Sequence, residues 1–301
     1  MRRAIALLFL LLFVLAGCET EKDPVYEPLD PSLHLTDGFC LVKDSRVVLN
    51  HYDIDYYDYS AHLIYLKSPD VFEEEFKTMG PATVYADSTR IYDLSLVSHA
   101  ASYMPQGPVI WFPIWFPADD IVHIDQVWMN VPIFAPLDDP RADTRVVEAL
   151  KKYGQFRHGL QAEIFSFWYN EEEGVILELE LRNEDAVNYY YYDPVKLGME
   201  HYHYITNGLW LKDATGKSYT HHIQGLSWET ADPDRMSLVE ADSSVVVSLR
   251  YEDFDLLPPG SYMAHFRFTG PHMINSREDL DLEDGRIWLG ELDLYAMVEI
   301  Q

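Results

Sequence analysis

Basic residues are scarce in this chain: 22 Lys and Arg stand against 50 Asp and Glu, for a net charge of −28 with the histidines neutral. A phosphate backbone is held by clustered cations, and those present are scattered, Lys151-Lys152 being the densest pair, so nucleic acid is excluded as a partner class. Cysteine is scarcer still, with only Cys18 and Cys40. A disulfide framework is therefore out of reach, and the fold must rest on its core. The apolar run from Ala4 to Val14 falls short of the roughly 20 residues a helix needs to cross a bilayer core, and no later segment spans one. No H-E-x-x-H, G-x-S-x-G, G-x-G-x-x-G or C-x-x-C pattern occurs, and Gly216-Lys217-Ser218 lacks the leading glycine of a phosphate loop, Leu211 standing in its place.

What is present begins with a leader. Arg2 and Arg3, the apolar run, small residues and a cysteine follow one another in the order of a secretory signal. Within it, Leu15-Ala16-Gly17-Cys18 resembles the lipobox of bacterial lipoproteins. The resemblance implies removal of residues 1–17, lipid on Cys18 as the first residue of the mature chain, and stable membrane anchoring by several acyl chains. The absence of aspartate after Cys18 further implies the outer membrane of a Gram-negative bacterium. Losing Arg2 and Arg3 takes the net charge to about −30. Such acidity opposes close contact with anionic lipid and favours cationic ligands or divalent metal.

Residues 18–36, with Pro24, Pro28 and Pro31 among acidic side chains, read as an extended tether. Residues 37–134 form a β-rich N-terminal domain, with strands expected at 38–49, 61–66, 82–85, 90–96, 109–116 and 121–129. One helix interrupts them, starting at Ser68-Pro69 and ending at Gly80. Pro113 places a bulge or edge within 109–116. Residues 135–159 read as a linker with a short helix, in which Val146, Val147 and Leu150 share a face and Gly154 ends the turn. Cys40 lies in an apolar stretch and is expected to be a buried thiol.

Residues 160–301 carry the clearest strand pattern. After a turn at 171–174, Leu177 to Leu181 alternates strictly, so one face of that strand should be buried. Further strands are expected at 163–169, 209–211, 217–221, 243–250, 262–268 and 287–300, with no helix between them. Leu181-Arg182-Asn183, the turn from Asp213 to Gly216, and Leu257-Pro258-Pro259-Gly260-Ser261-Tyr262 are similar to segments of immunoglobulin-like domains. The resemblance implies a β-sandwich with Tyr262 as a tyrosine corner, lacking the paired cysteines of antibody domains. The whole chain is therefore expected to be mainly β.

The strongest chemical candidate is a histidine group. His201 and His203, two apart, would share one face of a strand, with His221 and His222 at a neighbouring strand end, and such pairs can ligate zinc or copper with a carboxylate such as Glu200. Exposed histidines on a strand and a turn are the alternative. Asp279, Asp281, Glu283 and Asp284 place their glycine, Gly285, seventh and carry no glutamate at twelve, so an acidic turn fits better than a calcium loop. Asp53, Asp55 and Asp58, interleaved with Tyr56, Tyr57 and Tyr59, can hold calcium or stack a sugar, or form an exposed connection. Tyr189 to Tyr192, if a strand, can present only half its rings as a stacking platform. Trp111 to Phe116 reads as packing surface or as an exposed partner patch.

These features point to a non-catalytic binding or interaction module, lipid-anchored in a cell envelope and free of obligatory cofactors, whose partner is an envelope protein or glycan. A metal-dependent envelope hydrolase using His201 and His203, and a protease inhibitor of sandwich fold, are the alternatives.

Overall fold

The computed structural model describes residues 37–69, 79–112, 118–128, 139–227, 233–271, 274 and 277–301. The leader, Cys18, the tether, most of the helix expected at 68–80 and the Pro113 bulge lie outside them. The described residues belong to one compact unit and are mainly β, their strands forming five sheets.

Two-residue hairpins organise the first part. β1 (Phe39–Lys43) turns into β2 (Arg46–Leu49) through Asp44 and Ser45, and β5 (Gly80–Ala86) into β6 (Thr89–Ser98) through Asp87 and Ser88. All four turn residues have positive φ, between 45° and 64°. That is the left-handed geometry whose twist matches paired strands, and Asp is among the residues that tolerate it. With β7 (Gly107–Phe112) and β9 (Asp125–Val127) these strands form a six-stranded sheet, ordered β2-β1-β5-β6-β7-β9.

A second sheet, β10-β3-β4-β8, covers it. It is made of β3 (Ile54–Asp58), β4 (Leu63–Leu66), β8 (Ile121–His123) and β10 (Phe156–Arg157). Phe39, Leu41, Ile54, Tyr57, Ile64, Val84, Leu94, Ile110 and Val122 form their shared core, and Cys40 is fully buried beside it. The helix expected in a linker, α1 (Thr144–Lys152), is capped by Asp143 and packs Val146, Ala149 and Leu150 into the same core. β10 then pairs in parallel with β3. Residues 139–157 therefore belong to the N-terminal body: an amphipathic helix with three apolar residues on one stripe is driven onto the nearest apolar sheet face.

The second core lies among three sheets. β11 (Leu160–Asn170), β12 (Gly174–Asn183) and β17 (Ser243–Tyr251) form one, ordered β11-β12-β17. On β12, Val175, Leu177, Leu179 and Leu181 are fully buried while Glu178, Glu180 and Arg182 face outward, as the alternation requires. Gly174 turns the chain at φ 77°, where an added Cβ would sit 2.0 Å from the Tyr251 carbonyl oxygen. β14 (Leu209–Asp213), β15 (Ser218–Thr220), β18 (Gly260–Thr269) and β21 (Glu291–Ile300) form the next sheet, ordered β15-β14-β18-β21. The third sheet was not foreseen. It is ordered β16-β13-β20-β19 and built of β13 (Tyr189–Tyr192), β16 (Met236–Val239), β19 (Asp281–Leu282) and β20 (Gly285–Ile287). Two helices, α2 (Pro194–Leu197) and α3 (Met199–Thr206), interrupt the stretch expected to be free of them. A plain two-sheet sandwich over 160–301 is thus corrected to a three-sheet body with helical insertions.

The two bodies share apolar surface. Tyr56, Ala61, Leu63, Tyr65 and Ile121 join the C-terminal core, and the Trp288 indole N–H donates to Ser60 Oγ at 3.2 Å.

Candidate functional site

The histidine group does not assemble. Residues 199–206 are helical, not extended: Asp193 caps α2 by accepting from the Val195 and Lys196 amides, Gly198 turns at φ 88°, and Asn207 ends α3 in the left-handed region at φ 56°. At about 100° per residue, positions two apart face opposite sides of a helix. His201 accordingly bonds the Leu226 carbonyl on the surface at 2.9 Å, whereas His203 turns into the core and stacks on His221, with ring centroids 3.9 Å apart. His221 is tied by Nε2 to the Asn207 carbonyl and by Nδ1 to the Ile223 amide, and His222 pairs with Asp255 at 3.1 Å. Among the described residues no three His, Cys, Asp or Glu side chains converge as a metal site. Neither nitrogen of His203 finds a hydrogen-bond partner among them. Burial, with a smaller contribution from His221, pushes its imidazole down to about 3.

The interleaved Asp and Tyr residues lie on β3 and its turn, not on an exposed connection. Asp58 is buried, and its Oδ1 accepts from the Ser60 amide (3.0 Å), the Ser60 hydroxyl (2.7 Å) and the Ala61 amide. Burial pushes its carboxyl up to about 7. Asp53 accepts from the Asn50 amide, and Asp55 pairs with Arg277. Tyr56 stacks on Tyr65 at 4.1 Å beneath the guanidinium groups of Arg157, Arg277 and Arg286. This cluster joins the two bodies, and its carboxylates are taken up by Asn50, Ser60, Ala61 and Arg277. Tyr189 and Tyr191 are buried on β13, and Trp111 donates its indole N–H to Asp125. Asp281 pairs with Arg286 on the β19–β20 turn. The Cys40 thiol is pushed up to about 12 by burial, so it is inert.

A cleft of about 770 Å³ lies between the two bodies. One wall comes from the N-terminal body: Tyr59 to His62 after β3, His123, Asp125, Gln126 and Trp128 around β8 and β9, and Asp139, Arg141 and Ala142 ahead of α1. The other is the edge strand β21, contributing Glu291 to Met297, with Met263 of β18 and the start of β11 beside it. Sequence reasoning found none of these residues as a group, because they are spread over more than two hundred positions. The one available signal was on β21, where Glu291, Asp293, Tyr295 and Met297 alternate with Leu292, Leu294 and Ala296.

The polar groups of the cleft are held in place. His62, itself at a left-handed φ of 52°, bonds the Tyr57 hydroxyl through Nδ1 at 3.0 Å and presents Nε2 to Asp139 at 3.9 Å. Arg141 forks onto both Asp139 oxygens and donates to the Ile124 carbonyl at 2.6 Å. Burial, reinforced by Arg141, holds His62 well below the ordinary histidine value, and burial takes His123 down to about 4, so both imidazoles are neutral. On β21, burial raises the Glu291 carboxyl, with Asp293 and Asp125 adding to it against Arg267. Asp293 goes the other way: against burial, its bonds to His265 (2.7 Å) and Arg267 (3.0 Å) keep it ionised. Tyr295 and Met297 remain half exposed. The serine bordering the cleft, Ser60, is engaged by Asp58 and Trp288 and is not poised as a nucleophile. The arrangement can hold a ligand through fixed acceptors and apolar side chains.

No protein-family model matches the chain, and no curated protein matches it in sequence.

Proposed function

We propose that this is a lipid-anchored protein of a cell envelope, acting as a non-catalytic binding module whose ligand seats in the cleft between its two bodies. The cleft carries this reading. It is a concave space of ligand size, lined by half-exposed aromatic and apolar side chains and by a few polar groups whose geometry is already set. The leader and lipobox support attachment through Cys18, in the outer membrane by family resemblance, with residues 18–36 spacing the body from the bilayer. The C-terminal body is read as an immunoglobulin-like sandwich elaborated by a third sheet. What supports this is the pairing β11-β12-β17 in one layer and β15-β14-β18-β21 in another, together with the Tyr262 hydroxyl donating to the Pro258 carbonyl at 2.6 Å, four residues upstream. The partner is an envelope protein or glycan. Metal-dependent hydrolysis by His201, His203, His221 and His222 is not favoured, since only His203 and His221 meet, as a stacked pair, while His201 bonds the Leu226 carbonyl and His222 pairs with Asp255.

The test combines anchoring with placement. In a Gram-negative host, Cys18→Ala should move the protein from the membrane to the soluble fraction. A photo-crosslinking residue at Tyr295 or Trp128 should capture envelope material that the same residue at Phe165, on the outer face of β11, does not. Equal capture at all three positions refutes the cleft as the ligand site.

A further inference from the structure

The chain passes from the N-terminal body to the C-terminal one at His158 and Gly159, between the end of β10 and the start of β11. Two buried carboxyl groups hold this crossing, one from each body. Asp58, the last residue of β3, lies against Gly159 so closely that a Cβ on the glycine, which sits at φ 72°, would run into its Oδ1. Asp185, just after β12, accepts from the His158 amide through Oδ1, and through Oδ2 from the Gly159 amide and the Tyr189 hydroxyl, each at 2.9 Å. The turn that caps Asp58 is itself tied across the junction. Ser60, whose amide and hydroxyl both donate to Asp58, also donates to the His158 carbonyl at 3.0 Å and accepts from the Trp288 indole at 3.2 Å.

No cation balances these two carboxyls among the described residues. Asp58 and Asp185 are 3% and 7% exposed. His158 pairs with Glu184 at 3.3 Å, and Arg157, opposite Asp58 in register, donates to the Gly154 and Phe156 carbonyls. The other ionisable groups facing Asp58 are Tyr56 on its own strand, Tyr65 on β4 and Tyr189 on β13, none of which brings positive charge. A buried carboxylate without a cation is costly, and two on one site do not both ionise cheaply, so the closed crossing retains a proton. Burial, with a smaller push from Asp185 and against the Ser60 and Ala61 bonds, holds the Asp58 carboxyl up at about 7.

We propose that the crossing is a proton-operated clasp: while the Asp58–Asp185 pair keeps its proton the two bodies are locked at Gly159, and its loss lets the turn at Ser60 lift away and release Trp288 while the strands of both bodies stay paired. Water reaches Asp58 only through that movement. Ser60, Ala61, His62, His158 and Gln161 also line the cleft, so the clasp sets the position of its wall, whatever the cleft binds. In the open clasp the Asp58 carboxyl returns to its ordinary value near 3.8, so opening releases a proton. It therefore becomes easier as the pH rises from about 3.8 to about 7 and levels off above that.

Hydrogen–deuterium exchange of the full chain, followed by mass spectrometry and divided at each pH by the intrinsic exchange rate, reads the opening directly. Between pH 5 and 7, peptides covering 58–62 and 156–161 should open about tenfold to fiftyfold more readily, with little further rise by pH 8.5. At pH 7 they should open at least about tenfold more readily than a peptide from the middle of β12, 176–181, which reports unfolding of the body itself. In Asp58→Asn the amide oxygen can still accept from Ser60 and Ala61 but the group does not titrate, and His158 and Glu184 are unchanged, so the rise should vanish. The comparison with β12 is made in the unsubstituted chain and needs no variant. Equal opening of the crossing and of β12, a crossing whose opening does not change with pH, or a rise that persists in Asp58→Asn each overturns the clasp.

Discussion

Replacing His203 with phenylalanine should flatten the response of this protein to acid. His203 stacks at 3.9 Å on His221 and lies 5.4 Å from Tyr251, with neither ring nitrogen hydrogen-bonded among the described residues. Its imidazole is pushed down to about 3 from an ordinary 6.5, by burial first and His221 second. The unfolded chain thus binds a proton that the folded one refuses, in the window between pH about 6.5 and about 3. The stability associated with neutral His203 is fully present above pH 6.5 and is lost as the pH falls toward 3. At pH 4.5, two units below the unfolded value, the loss is about 2–3 kcal/mol, at about 1.4 kcal/mol per unit. Phenylalanine keeps a flat ring against His221 and cannot titrate. Its larger ring shifts stability by an amount that does not vary with pH, and the other titrating groups are common to both chains, so the difference in slope isolates His203. Urea unfolding at a series of pH values should show the unsubstituted chain losing about 2–3 kcal/mol more than His203→Phe between pH 7 and 4.5. Parallel curves for the two proteins would refute the claim that burial keeps this imidazole neutral.

Two further perturbations test the bodies that frame the cleft. Tyr262→Phe removes the hydroxyl donated to the Pro258 carbonyl at 2.6 Å; since Pro258 is exposed and water can replace the donor, the cost should be about 1 kcal/mol, read from the urea midpoint, and an unchanged midpoint would count against a structural corner there. Asp58 has the opposite pH signature from His203: its carboxyl is pushed up to about 7, so its stability is fully present below the unfolded value near 3.8 and is lost as the pH rises through 7. Asp58→Asn should abolish that loss, and a variant whose stability falls like the unsubstituted chain's over the same interval would show that burial does not govern this carboxyl.

The strand pattern was legible wherever one face of a strand is buried. Leu177, Leu179 and Leu181 alternate with glutamates because β12 has one wet face and one dry one, and that contrast is written into consecutive residues. Tyr262 was legible because its hydrogen bond reaches only four residues back. The segment Met199 to Thr206 was not. Rich in histidine, tyrosine and β-branched residues, it is poor in strong helix formers, and its helicity comes from Gly198, from Asn207 and from the packing of Tyr202 and His203 against the sheets. Asp58 misled for a related reason: an aspartate among tyrosines looks exposed until Ser60 and Ala61 turn their donors back onto it.

By itself the sequence determined the leader with its lipobox pattern, the acidity of the chain, the shortage of cysteines and the main run of strands. Each of these is set by residues within a few positions of one another, where side-chain period and backbone preference act directly. Only the tertiary structure decided that residues 139–157 belong to the N-terminal core, that of the four histidines only His203 and His221 meet, and that Tyr59 to His62, Arg141 and β21 enclose one cleft. The cleft exists because the β3–β4 turn and β21, far apart in sequence, are held together by the core that Tyr56, Tyr65 and Trp288 share. Contacts across that distance leave no periodic mark along the chain, since what selects them is the fit of surfaces that form only after each body has folded.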